Sequence, residues 1–118
     1  MNARVRLVGQ AREEYEALKK KVKEEKGRGT GSSENSALLK SIDQKIELLK
    51  QNPLYGEVIK GKEIPKELDA DNLFKVRLAG FWRMLYTIRR HEIEIFCFIL
   101  IIEPHKHYDK RFKGKKKP

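Results

Sequence analysis

The residues with the most chemical potential in this chain are three strand cations and a downstream cluster. Lys75, Arg77 and Arg83 alternate with apolar residues, and His105, Lys106, His107 and Tyr108 follow. Arginine carries a fixed charge on forked donors that match phosphate oxygens. Histidine titrates near neutrality and can give or take a proton. A phenol can donate a proton or stack on a flat ring. Together these groups suit RNA cleavage without a metal, in which a 2′-hydroxyl attacks the adjacent phosphate and leaves a 2′,3′-cyclic phosphate and a 5′-hydroxyl. The protein must align that attack, neutralise developing charge and move two protons. Other chemistries lack their residues. His105-x-His107 supplies too few ligands for a metal, and no Ser/His/Asp or Cys/His nucleophile pattern stands out. No cofactor is expected.

Whether the cations meet depends on strand register. Phe74, Val76 and Leu78 point one way, and Lys75 and Arg77 the other. A two-residue Ala79-Gly80 turn would oppose Val76 to Arg83 and bury a cation. A three-residue turn, Ala79-Gly80-Phe81, opposes Val76 to Met84 and Arg77 to Arg83, with glycine at the positive-φ position. The core face is then Phe74, Val76, Leu78, Trp82, Met84, Tyr86 and Ile88. Two facing arginines repel by a few tenths to about 1 kcal/mol, which an anion between them would reverse. A loop at Arg89-Arg90-His91-Glu92 leads to the next strand, with Ile88 opposite Ile93, Met84 opposite Cys97 and Arg83 opposite Phe98. That long strand is apolar on both faces, as an interior strand is. Cys97 falls on the core face as an inert filler, and His91 is exposed at the loop tip. Phe96, Phe98 and Leu100 then lie beside the arginines and need cover from a partner segment, the tail or stacked bases.

The preceding elements must carry this hairpin. Ala3, Val5 and Leu7 alternate with Arg4 and Arg6, a short strand ending at Gly9. Ala11, Tyr15, Leu18 and Val22 then repeat at helical spacing, and so do Leu38, Ile42, Ile46 and Leu49. Gly27, Gly29 and Gly31 separate the two helices as a surface loop, Ser33 can cap the second, and Asn52-Pro53 ends it. No buried strand precedes the glycines, which argues against a phosphate loop. Val58-Ile59 reads as a short extended piece.

The chain has 118 residues and a formal charge of +10. One domain over residues 1–112 is expected, with a disordered basic tail at 113–118. Residues 104–118 hold seven Lys/Arg against one Asp, so the excess sits at one end and favours polyanions. The single cysteine argues against a disulfide framework. The N-terminus has no apolar secretory region, and the longest apolar run, residues 95–102, is too short for a bilayer. A soluble cytoplasmic protein without membrane contact is expected.

In order, these elements are strand, helix, helix, then three strands and a basic end. The order and the segments LKQNP (49–53), LFKVRL (73–78), FWRMLYTI (81–88) and HKHY (105–108) resemble the RelE/ParE superfamily of toxins from type II toxin–antitoxin pairs. The resemblance implies an α+β fold: an N-terminal strand, an αα-hairpin and a three-stranded antiparallel meander in one small sheet. The RelE-like branch implies a ribosome-dependent endoribonuclease that cuts mRNA. The ParE branch implies a DNA gyrase inhibitor, and a non-catalytic RNA-binding toxin is the further alternative. Carried over, Arg77, Arg83, His105 and Tyr108 are the expected catalytic residues. Lys75, Phe98, Lys106, Lys110 and Arg111 are the expected RNA-binding residues. Where some of these nucleases carry an arginine at the end of the long strand, this chain has Glu103-Pro104-His105, and its ending resembles an H-K-x-Y variant. The implied partners are an acidic antitoxin and mRNA on the ribosome, with the free toxin monomeric.

Overall fold

The computed structural model describes residues 2–29 and 33–113, the last by its backbone alone. The expected tail, apart from that backbone, lies outside the described residues. The elements are β1 (Arg4–Leu7), α1 (Gly9–Gly27), α2 (Glu34–Gln51), β2 (Glu57–Val58), β3 (Phe74–Arg77), β4 (Trp82–His91), β5 (Glu94–Pro104) and α3 (His105–Lys113). Five strands form one sheet in the order β1-β5-β4-β3-β2, with β1 parallel to β5 and the other neighbours antiparallel. The expected strand, helix pair and meander are all present. The short extended piece expected at Val58-Ile59 is found as β2, one residue earlier, and extends the sheet beyond β3, while the helix α3 over His105–Lys113 was not expected. Tyr108 and Phe112 are four residues apart, so a helix puts both on one face toward the sheet, where Phe112 is buried. Among the described residues no helix is long and apolar enough to cross a membrane.

The helices cover one face of the sheet. Ala11, Leu18 and Val22 of α1 and Leu38, Ile42 and Leu49 of α2 are buried, as the spacing predicts. Ser33 caps α2 by accepting from the Ser36 N–H at 3.1 Å. Tyr15 of α1 donates to Asp43 of α2 at 2.6 Å, and Ser33 and Asn35 donate to Glu25, so the two helices run antiparallel. Beneath them lie Phe74, Val76, Leu78, Met84 and Tyr86, with Trp82 and Ile88 at the margin. That is the core face expected for the hairpin. Cys97 is fully buried there, and burial pushes its thiol up to about 11, which leaves it protonated and inert.

The β3–β4 turn takes the expected form. Leu78 N–H donates to the Trp82 carbonyl at 2.9 Å across Ala79–Phe81, and Gly80 has φ 70°. Val76 opposes Met84 and Arg77 opposes Arg83. The next hairpin corrects the expectation. The strand runs on to His91, which pairs with Glu94 around a tight Glu92-Ile93 turn, and Ile88 opposes Cys97 rather than Ile93. Arg83 opposes Glu103, not Phe98. The tight turn leaves Ile93 94% exposed, a burial loss that the apolar pattern argued against. The same strand pair carries a bulge: Leu85 opposes Ile101 while Tyr86 opposes Ile99, so Leu100 is the extra residue. A one-residue slip exchanges the faces of a strand. Cys97 and Ile99 before the bulge and Ile102 after it therefore all face the helices, and Glu103 emerges on the outer side.

One contact sets the edge of the sheet that flanks the cations. Tyr86 donates to the Pro53 carbonyl at 2.6 Å and accepts from the Gly56 N–H at 2.9 Å. A side chain at Gly56 would meet the Tyr86 ring at 2.9 Å and the Lys75 carbonyl at 3.0 Å. The absent Cβ lets β2 close against β3 and brings Glu57 opposite Lys75. Burial pushes the Tyr86 phenol from 10.0 up to about 12. Tyr86→Phe is expected to leave two backbone groups unpartnered and to cost about 1–3 kcal/mol in denaturant unfolding. Because the folded pKa is raised, the wild-type contribution is full below pH 10 and fades as pH rises toward 12, a loss that the phenylalanine variant lacks.

Candidate active site

The outer face of β3 and β4 carries Lys75, Arg77 and Arg83. Arg83 and Lys75 are partly buried, and Arg77 is exposed. The turn Ala79–Phe81 brings the two arginines opposite each other, as expected. Phe81 is also at positive φ, 62°, and 74% exposed, so the turn spends backbone strain to hold a phenyl in solvent beside them. Glu57 was not foreseen. Its carboxylate lies 3.6 Å from both Lys75 Nζ and Arg77 Nε. That distance is beyond hydrogen bonding, so Glu57 offsets charge without locking either cation. Only the β2 pairing reveals it, since Val58-Ile59 alone says nothing about what an adjacent carboxylate faces.

Pro104 opposes Trp82, so the chain leaves β5 beside the arginines and enters α3 at once. Tyr108 projects back over the face, with Lys75 Nζ 5.6 Å from its ring centroid. Burial raises the Tyr108 pKa, Arg83 acts in the opposite sense, and Glu57, Asp109 and Glu63 add to the rise. The phenol is therefore neutral at physiological pH and can donate a proton. His105, one turn earlier, is exposed, with Nδ1 3.0 Å from the Asp109 carboxylate and its ring 6.4 Å from that of Phe81.

The remaining expected residues are distributed differently. Lys106 and Lys110 are exposed on α3. Arg111 is committed to acids: it donates to Glu103 from Nε at 3.0 Å and from Nη2 at 2.7 Å, and its Nη1 lies 3.4 Å from Glu67. These partners raise its pKa, the Glu103 hydrogen bonds most strongly. Phe98 shares the outer face with the arginines but opposes Thr87, four residues along β4 from Arg83. It stacks on Phe96 at 5.6 Å, against the expectation that it adjoins the arginines. Among the described residues no group of three or more His, Cys, Asp or Glu could hold a metal ion.

Glu103 is 2% exposed, so its two bonds to Arg111 are what make its burial tolerable. They also fix α3 against the sheet. Arg111→Ala is expected to strand a buried carboxylate and cost about 3–5 kcal/mol. Urea unfolding and faster amide exchange over residues 105–112 would register it, and adding Glu103→Leu should recover much of the loss.

No family model and no curated protein matches the sequence. Among solved structures the chain is similar to a YoeB/ParE toxin from Agrobacterium tumefaciens, with a TM-score of 0.59 and 13% identity over 86% of this chain and 98% of that one. At that identity the likeness is one of fold. The five-stranded sheet with the helix pair on one face is thus similar in fold to that structure.

Proposed function

We propose that this protein is the toxin of a toxin–antitoxin pair and a metal-independent, ribosome-dependent mRNA endonuclease. The observation that supports this most is Arg77 beside Arg83 on the outer face, with Tyr108 within the field of Arg83. The two guanidiniums take the non-bridging oxygens of the scissile phosphate and neutralise the charge that builds there. His105 takes the 2′-hydroxyl proton as the O2′–P bond forms, its ring oriented by Asp109. Tyr108, neutral and three residues further along the helix, gives a proton to the departing O5′ as the P–O5′ bond breaks. Lys75, Lys106 and Lys110 hold the flanking backbone, and Phe98 takes RNA further along the sheet. Arg111 serves by fixing the position of α3. The face is open and supplies charge without a channel, so the ribosome provides alignment by holding the mRNA. The cationic face and the basic C-terminal end also suit an acidic antitoxin, which would cover a monomeric toxin.

One observation favours a second reading. Glu57 sits between Lys75 and Arg77 and offsets the charge a phosphate would use. A non-catalytic protein of the same fold, binding RNA or inhibiting DNA gyrase, would tolerate that carboxylate. Incubation with translating ribosomes and mapping of mRNA ends separates the two. Endonuclease action gives new 5′-hydroxyl and 2′,3′-cyclic phosphate ends, reduced about 10²–10³-fold in Arg83→Ala. An identical end map for wild type and Arg83→Ala would falsify the assignment, and blocked gyrase supercoiling would favour the second reading.

A further inference from the structure

At the end of the sheet away from Arg77 and Arg83, the outer face holds an open groove of about 550 Å³. Its floor is Phe96, Phe98 and Leu100 of β5, and Val8 and Leu68 extend the apolar lining. Phe96 and Phe98 are half-buried, with their rings stacked on each other at 5.6 Å. Covering such a floor removes apolar surface from water, which favours a partner. Cations flank the floor on both sides. Val5 faces the helices, so Arg4 and Arg6 face outward, where Arg4 opposes Phe96 and Arg6 opposes Phe98. On the other flank Arg89 opposes Phe96, and Arg90 lines the groove next to it. Two acids stand nearby: Glu94 pairs with Arg4, and Asp69 lies on the loop wall beside Leu68. Arg6, Arg89 and Arg90 have no acidic partner among the described residues.

We infer that this groove is a docking site for an acidic amphipathic helix of a partner protein. An apolar floor edged by cations on both flanks calls for an apolar stripe edged by acids on both sides, and that is the pattern of a helix. An extended peptide with apolar residues in the groove would point its alternate residues away from the sheet, out of reach of the rim. From Phe96 to Leu100 the floor runs roughly 13 Å, which about nine residues of helix would span. A second copy of this chain fits less well, because it carries a net charge of +10 and would bring arginines against arginines. Nucleic acid needs open aromatic faces, and here each ring has given one face to the other. The inference goes beyond the nuclease reading, which puts an acidic partner on the strand cations and the basic end of the chain. A helix seated in this groove leaves Arg77 and Arg83 uncovered and excludes RNA from Phe98.

The test is fluorescence anisotropy with a labelled peptide of about 18 residues, long enough to hold a helix, that carries a leucine stripe edged with glutamates. A shuffled peptide of the same composition, without the stripe, is the control. The striped peptide is expected to bind about tenfold tighter than the shuffled one. Phe98→Ala should weaken it about tenfold, and Arg89→Glu by a similar factor. Arg77→Glu makes the same change of charge on the strand cations and should leave the affinity within about twofold of wild type. Equal binding of the two peptides, or equal loss in Arg89→Glu and Arg77→Glu, overturns the inference, because charge alone would then explain the binding. A striped peptide that does not bind while labelled oligouridine binds and loses affinity in Phe98→Ala overturns it in favour of RNA. A reversible dimer in sedimentation that Phe98→Ala dissociates overturns it in favour of a second copy. None of these outcomes bears on mRNA cleavage, which the Arg83→Ala end map judges separately.

Discussion

Two guanidiniums are made to face each other, and much of the molecule is arranged around that like-charge pair. Cross-strand arginines repel, so the register must be imposed from elsewhere. It is imposed by burial. Val76, Met84 and Tyr86 are all but inaccessible beneath the helices, and a slip of one residue would exchange them for the cations. The turn completes the constraint, with consecutive positive φ at Gly80 and Phe81 allowing three residues to span the strands. The core therefore supplies the free energy that holds Arg77 against Arg83 on the other side of the same sheet.

The second device is the bulge at Leu100. It lets one long strand serve the helix-side core along most of its length and then turn a carboxylate outward at Glu103. That carboxylate is buried by α3 and gripped by Arg111, so the strand's end and the helix's last turn are joined by charge rather than by apolar packing alone. The consequence for the site is positional. Tyr108 and Phe112 lie against the outer face, and His105 comes to the corner beside Phe81. A shift of α3 would separate Tyr108 and His105 from the strand cations.

The third element is acidic. Glu57 arrives through β2, which closes only because Gly56 has no side chain to meet Tyr86. The edge strand brings a carboxylate to a cationic face and forms one wall of a cleft beside it. Charge on this face is thus divided between the cations Lys75, Arg77 and Arg83 and the carboxylate of Glu57. A uniformly basic face would bind polyanions without such a division.

Periodicity alone determined the helix pair, the first strand, the β3–β4 register and hence the arginine pair, because each rests on which residues must be buried. Lys75, Arg77 and Arg83 were legible for the same reason. The tight Glu92-Ile93 turn was not, since it exposes an isoleucine, and the bulge was not, since a strand apolar on both faces gives no phase to read. Those two features moved Phe98 away from the arginines and brought Glu103 to them. The terminal helix was hidden because its polar majority masks the Tyr108–Phe112 pair that docks it. Glu57 and the Glu103–Arg111 clamp belong to tertiary structure alone: Glu57 meets cations on a neighbouring strand, the clamp forms only because α3 folds back on the end of β5, and a carboxylate's local sequence does not say which cation it will face.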